Sequence, residues 1–201
     1  MVILVDITFS HAYKSFDDKR VLLDFSWTLP NCPALVIQGR SGSGKTTLLR
    51  LLAGLEQIDA GSITGLPKRV SFMFQENRLL PWYTIRRNIE ILGVSAADAD
   101  GWLDSVGLSK DADRMPGELS GGMSRRAAFA RALAFPAPVL LLDEPFKELD
   151  GITKTDMIAL ALGQFESRER IIVVTHDAAE ATALGGCIVW FDGPPLKIER
   201  N

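Results

Sequence analysis

The chain is short of several features that would assign it to common classes. Its 201 residues include only two cysteines, Cys32 and Cys187, without the paired spacing of a metal site. They are expected to be separate buried thiols with no disulfide between them. Long apolar runs are missing too: the longest apolar region, 127–142, is broken by Arg131, Pro136 and Pro138. It falls short of the roughly 18 apolar residues that a membrane-spanning helix needs. Nor is there an excess of positive charge, since 22 basic residues stand against 25 acidic ones for a net charge of −3. That balance gives no electrostatic reason to expect nucleic acid or an anionic membrane as partner, although it leaves local basic patches open. No repeat, low-complexity tract or interdomain linker is visible. The opening Met1-Val2-Ile3-Leu4-Val5 lacks a basic start and meets Asp6 at once, so it reads as a strand and not as a signal peptide. With 47% hydrophobic residues, the whole span 1–201 is expected to form one domain around a packed core.

Against these absences stands Gly39-Arg40-Ser41-Gly42-Ser43-Gly44-Lys45-Thr46-Thr47, which matches the phosphate-loop pattern G-x-x-x-x-G-K-[ST] at every required position. Ala34 to Gln38 reads as a short buried strand, and Lys45 to Ala53 as a helix with Leu48, Leu49, Leu51 and Leu52 on its apolar face. Glycines in the loop let successive N–H groups turn inward toward an anion, and the helix N-terminus adds its partial positive charge. Lys45 can then reach β- and γ-phosphates while the Thr46 hydroxyl ligates Mg²⁺. The expected ligand is a nucleoside triphosphate.

Val2 to Phe9 and Val21 to Leu29 are β-rich runs, expected to pair antiparallel. Tyr13 and Phe16 lie between them, either of which could stack on a base or simply pack. Two short strands, Gly61 to Thr64 and Arg69 to Phe74, lead to Gln75, and helical periodicity then takes over in 84–92, 97–106 and 123–134. An α-helical insert over about 76–135 is expected. Leu119-Ser120-Gly121-Gly122 precedes its last helix, either as a serine cap with glycines easing the turn or as a second anion site. Val139 to Leu142 is continuously apolar, as a parallel strand buried on both faces would be, and ends in Asp143-Glu144. In an open α/β sheet, ligands bind at the carboxyl ends of strands. Asp143 can therefore help hold Mg²⁺, and Glu144 can polarise an attacking water. Ile171 to Thr175 repeats this design and ends in His176, either a structural histidine or one that hydrogen-bonds a γ-phosphate. Cys187 to Phe191 and Leu196 to Glu199 read as a closing hairpin.

The phosphate loop, Gln75, Leu119 to Met123, Leu140 to Pro145, Leu149-Asp150 and His176 together resemble the ATP-binding cassette family in order and spacing, over nearly the full chain. The resemblance implies an α/β fold: a P-loop NTPase core with a mixed, mainly parallel sheet, an N-terminal antiparallel β subdomain and the inserted helical subdomain. It makes Gln75 the Q-loop residue and a metal ligand, residues 119 to 123 the signature motif with Ser120, Gly121 and Gly122 as its ligand-contacting residues, Asp150 the D-loop aspartate, His176 the switch histidine and Phe16 the adenine-stacking aromatic. Two cassettes of this family pair head to tail, so the signature glycines would contact nucleotide held by a second subunit. Met123 departs from the family's usual glutamine, and Lys147-Glu148 replace small residues before Leu-Asp. Leu79-Leu80-Pro81-Trp82 resembles the nitrate, sulfonate and taurine importer group, whereas packing of the insert would equally account for these residues.

The implied function is an ATP-hydrolysing subunit that energises a membrane transporter with ATP and Mg²⁺ as cofactors. Its implied partners are a second cassette, permease subunits and, indirectly, a solute-binding protein. It would be cytoplasmic and held peripherally at the inner face of the membrane. The rival is a soluble cassette ATPase acting on nucleic acid or ribosomes, for which the expected coiled coil or second cassette is not seen.

Overall fold

The structure is a computed structural model that describes residues 6–199, apart from the side chains of residues 165 and 166. Among the described residues, six strands form the central sheet in the order β5-β6-β7-β3-β8-β9. They are β3 (Ala34–Gly39), β5 (Val70–Met73), β6 (Val139–Asp143), β7 (Arg170–Val174), β8 (Cys187–Asp192) and β9 (Lys197–Glu199). All neighbouring pairs are parallel except β8 and β9. The residues of β3, β6 and β7 are buried throughout, as the continuous apolar runs require of strands covered on both faces.

Alternation along these strands divides the core. Leu140, Leu142, Ile171 and Val173 pack against the helical side. That side holds α2 (Ile85–Glu90), α3 (Ala96–Ser105), α4 (Gly121–Ala134), α5 (Gly151–Leu162) and α6 (Ala178–Leu184). Val139, Leu141, Ile172 and Val174 face the other way, onto α1 (Lys45–Leu52) and a second, three-stranded sheet. That antiparallel sheet runs β2-β1-β4 and comprises β1 (Thr8–Phe16), β2 (Lys19–Thr28) and β4 (Ala60–Thr64). The fold is the expected P-loop NTPase α/β architecture, with the antiparallel unit on one face and the helices on the other.

One expectation changes among the described residues. Of the expected strand Val2 to Phe9, residues 2–5 lie outside the described part, and β1 begins only at Thr8 and runs through Tyr13 and Phe16 to a turn at Asp17-Asp18. Its polar outer half pairs with β2 in register Phe16 to Lys19, so backbone pairing overrides a weak apolar pattern. Both cysteines are free thiols, Cys32 buried and Cys187 half-buried, and burial followed by the Cys187 thiol pushes Cys32 up to about 11.

Candidate active site

Parallel pairing brings the carboxyl ends of four strands to one edge. Register places Val174 beside both Asp143 and Ile37, and Met73 beside Leu142. Two bonds carry that alignment past the strands: Glu144 N–H donates to the Val174 carbonyl at 2.9 Å, and Thr175 N–H donates to the Ile37 carbonyl at 3.1 Å. The segments containing the phosphate loop, Gln75, Asp143-Glu144 and His176 therefore leave the sheet together.

The phosphate loop starts at Gly39, whose φ is +144° and whose missing Cβ would sit 1.9 Å from the Phe191 carbonyl oxygen. Only glycine permits that approach. The loop ends at Gly44, with φ of +112°, which begins α1 in the left-handed region. Thr84, Ser95, Ser120, Asp150 and Asp177 cap the other α-helices with their side chains. Among the described residues, α1 is the α-helix with no side-chain cap, so its first N–H groups remain available to an anion. Lys45 is buried, and its ammonium donates to the Gly39 and Arg40 carbonyls at 2.8 and 2.7 Å, with Ser43 Oγ at 3.5 Å. Burial lowers its pKa, against the opposing charges of Glu144 and Asp143.

A cavity of about 220 Å³ opens here, lined by Ser41, Gly42, Gly44, Lys45, Thr46 and Thr47 together with Phe16, Gln75, Asp143 and Glu144. The sequence did not single out Lys19, which also lines it. Asp143 is 1% exposed and its Oδ2 has no hydrogen-bond partner. Burial raises its pKa, opposed chiefly by a hydrogen bond with Thr46. A buried carboxylate oxygen without a partner beside a threonine hydroxyl and Gln75 is a donor set that suits a hard divalent cation. Glu144 has φ of +49°, a left-handed conformation that is uncommon outside glycine. Its Oε1 lies 3.1 Å from Nδ1 of the largely exposed His176.

Other expected site residues lie apart from this cavity. Ser120 accepts a bond from Met123 N–H at 3.2 Å, so the capping alternative is realised in the single chain. Gly121 and Gly122 form the first turn of α4, facing Glu148 and Leu149. Asp150 caps α5, accepting from Thr153 N–H at 3.0 Å and from its hydroxyl at 2.8 Å. Trp82, for which packing was one expectation, is 64% exposed, whereas Leu79 does pack against the helical core.

Two clamps escaped the sequence reading. Arg125 of α4 donates to the Phe74 and Gln75 carbonyls at 3.2 and 2.6 Å and to Asn77 Oδ1 at 3.2 Å. It also bonds the Asp143 and Pro145 carbonyls at 3.0 and 3.2 Å, and that of Glu144. One side chain thus ties the Gln75 loop to the carboxylate loop. The second clamp joins α5 to the His176 loop: Lys154 meets Glu180 at 2.7 Å and Asp177 at 3.3 Å, while Glu180 accepts from the Thr175 hydroxyl. Both sets read in sequence as ordinary charged helix positions, and only their partners mark their role, loop carbonyls around Arg125 and the buried Glu180 carboxylate beside Lys154.

The family model described as ABC transporter matches residues 22–147. An aliphatic sulfonates import ATP-binding protein of Paracoccus denitrificans is 44% identical over 183 residues, covering 88% of this chain and 75% of the relative. A protein with the same function in its name from Agrobacterium fabrum is 40% identical over 203 residues, covering 94% and 77%. Among solved structures, a dimeric bacterial ABC transporter cassette superposes with a TM-score of 0.86 at 25% identity, covering 96% of this chain and 98% of that one.

Proposed function

The chain belongs to the ABC transporter family, and we propose that it is the ATP-hydrolysing subunit that energises solute import through a membrane permease. The observation that carries this reading is the convergence of the uncapped phosphate-loop helix, Gln75, Asp143 and Glu144 on one cavity. Phe16 would stack on the adenine. The phosphate-loop amides and Lys45 would hold the β- and γ-phosphates, with Lys45 exchanging its two carbonyl partners for phosphate oxygens. Asp143, Thr46 and Gln75 would hold Mg²⁺, which neutralises charge on the phosphate oxygens. Glu144 accepts a proton from water as its oxygen attacks the γ-phosphorus and the bond to the bridging oxygen breaks, with His176 held beside Glu144 to bond the γ-phosphate.

Ser120, Gly121, Gly122 and Asp150 fall outside the cavity, so their role requires a second cassette packed head to tail. The relatives named for aliphatic sulfonate import support an importer of small organic acids. In that assembly the chain lies in the cytoplasm at the inner face of the membrane, bound to permease subunits that a solute-binding protein supplies. Among the described residues, no helix is long and apolar enough to cross a membrane.

Phosphate release from MgATP by the purified chain tests the enzymatic part. Lys45→Ala is expected to abolish turnover while far-UV circular dichroism stays unchanged. Equal turnover in both proteins would place the chemistry elsewhere.

A further inference from the structure

At the opposite edge of the central sheet, the chain buries a charge that nothing described bonds. Arg170 opens β7 and is 2% exposed, yet Nε, Nη1 and Nη2 all lack a hydrogen-bond partner. Other buried arginines are treated differently. Arg125 is bonded by the site loops, and Arg168 donates to the Ala137, Leu133 and Phe135 carbonyls at 2.9, 2.6 and 3.1 Å. An unpaired guanidinium in an apolar interior is costly, and an apolar residue here would simply have continued the Ile171 to Val174 run. Asp6 and Glu169 act on Arg170 through their charge without bonding it.

Arg170 also lines a cleft of about 340 Å³ between the antiparallel unit and the amino ends of β6 and β7. Alternation along β7 puts its side chain on the face of Ile172 and Val174, which is also the face of Ile7 and Val139. Ile7 and Val139 line the cleft, Leu66 continues its apolar wall, Lys68 and Arg69 supply two more cationic residues, and Glu169 adds one carboxylate against these three cations. Arg69 is partly engaged over the Phe135 ring at 5.1 Å.

We infer that this cleft binds a small organic anion, with a carboxylate or sulfonate head paired to the Arg170 guanidinium and Lys68, and a short apolar tail against Ile7, Leu66 and Val139. The planar fork of an arginine matches such a head bidentately, and the apolar wall favours an acid with a tail over a bare inorganic oxyanion. The cleft lies at the end of the sheet away from the nucleotide cavity, so the two ligands do not compete.

Thermal melting of the full chain at matched ionic strength in chloride, phosphate, butyrate and butanesulfonate tests this. Wild type is compared with Arg170→Met, and any anion effect at the phosphate loop is common to both proteins and cancels. In chloride, Arg170→Met is expected to melt at or above wild type, because it removes an unpaired buried charge. Butyrate or butanesulfonate at about 100 times its Kd should raise wild-type Tm by about 5–10 °C more than that of the variant, with phosphate doing less. Lys68→Ala, on the exposed rim, should fold as wild type and need several-fold more organic anion for the same shift. Equal shifts in wild type and Arg170→Met would overturn the inference, as would loss of folding by Arg170→Met, which would make the arginine structural.

Discussion

The two edges of the central sheet handle buried charge in opposite ways. At the carboxyl edge, Arg125 gathers five backbone carbonyls and Asn77 from two loops, leaving Asp143 Oδ2 as the partnerless oxygen beside the phosphate loop. At the amino edge, Arg170 has three nitrogens and no partner among the described residues. Satisfied groups fix loop positions, and unsatisfied ones mark where binding can repay burial. The same strand β7 carries both situations at its ends: the Thr175-His176 loop is anchored through Glu180 and Lys154, while Arg170 is bonded by no described residue.

The largest effect expected on the isolated chain comes from breaking the anchored edge. Arg125→Met leaves buried carbonyls of both loops without donors and should cost about 3–5 kcal/mol, lowering Tm by roughly 6–20 °C. A melt within 2 °C of wild type would mean that the arginine is not the clamp. Next comes Asp143→Asn, for which turnover is expected to fall about 10²-fold or more, because the charge facing the metal and phosphates is lost. In EDTA the same variant should melt slightly above wild type, since burial disfavours the ionised carboxylate. A lower melt in EDTA would show that Asp143 is satisfied without metal and would break the parallel with Arg170.

A smaller effect is expected at the second clamp. Lys154→Met removes the cation from Glu180, which is only 5% exposed, and should cost about 1–2 kcal/mol while slowing turnover through the His176 loop. Unaltered stability and turnover would disconnect that loop from α5. Arg78→Glu should change the isolated chain least. Arg78 stacks over Phe74 at 4.1 Å and meets Glu76 at 3.3 Å with its side chain about half exposed, so Tm and nucleotide affinity should stay near wild type. Solute uptake in vesicles carrying the permease should nevertheless fall, and normal uptake would put Arg78 outside the coupling surface.

The contrast also explains what the sequence made legible. Strand ends carrying Gly39, Asp143 and His176 were readable because apolar runs stop abruptly in polar residues, and parallel pairing must bring such ends together. The helices at 84–92, 97–106 and 123–134 appeared with small boundary shifts for the same reason of periodicity. The polar half of β1 was not readable, because its pairing with β2 comes from backbone bonds that leave little apolar pattern. Arg125, Lys154 and Glu180 were hidden for another reason: a helix position says nothing about which groups from distant segments will surround it. Ser120 shows the remaining ambiguity, since one hydroxyl caps α4 in the single chain and would serve the proposed second role only across a dimer.

The central claim is that Glu144, held in its left-handed turn beside His176, performs the chemistry, while the phosphate loop performs the binding. Glu144→Gln preserves shape and removes the carboxylate. Phosphate release and ATP affinity measured on the same preparation should show turnover reduced about 10²-fold or more with MgATP Kd within a few-fold of wild type. Turnover at the wild-type rate with unchanged affinity would contradict the account.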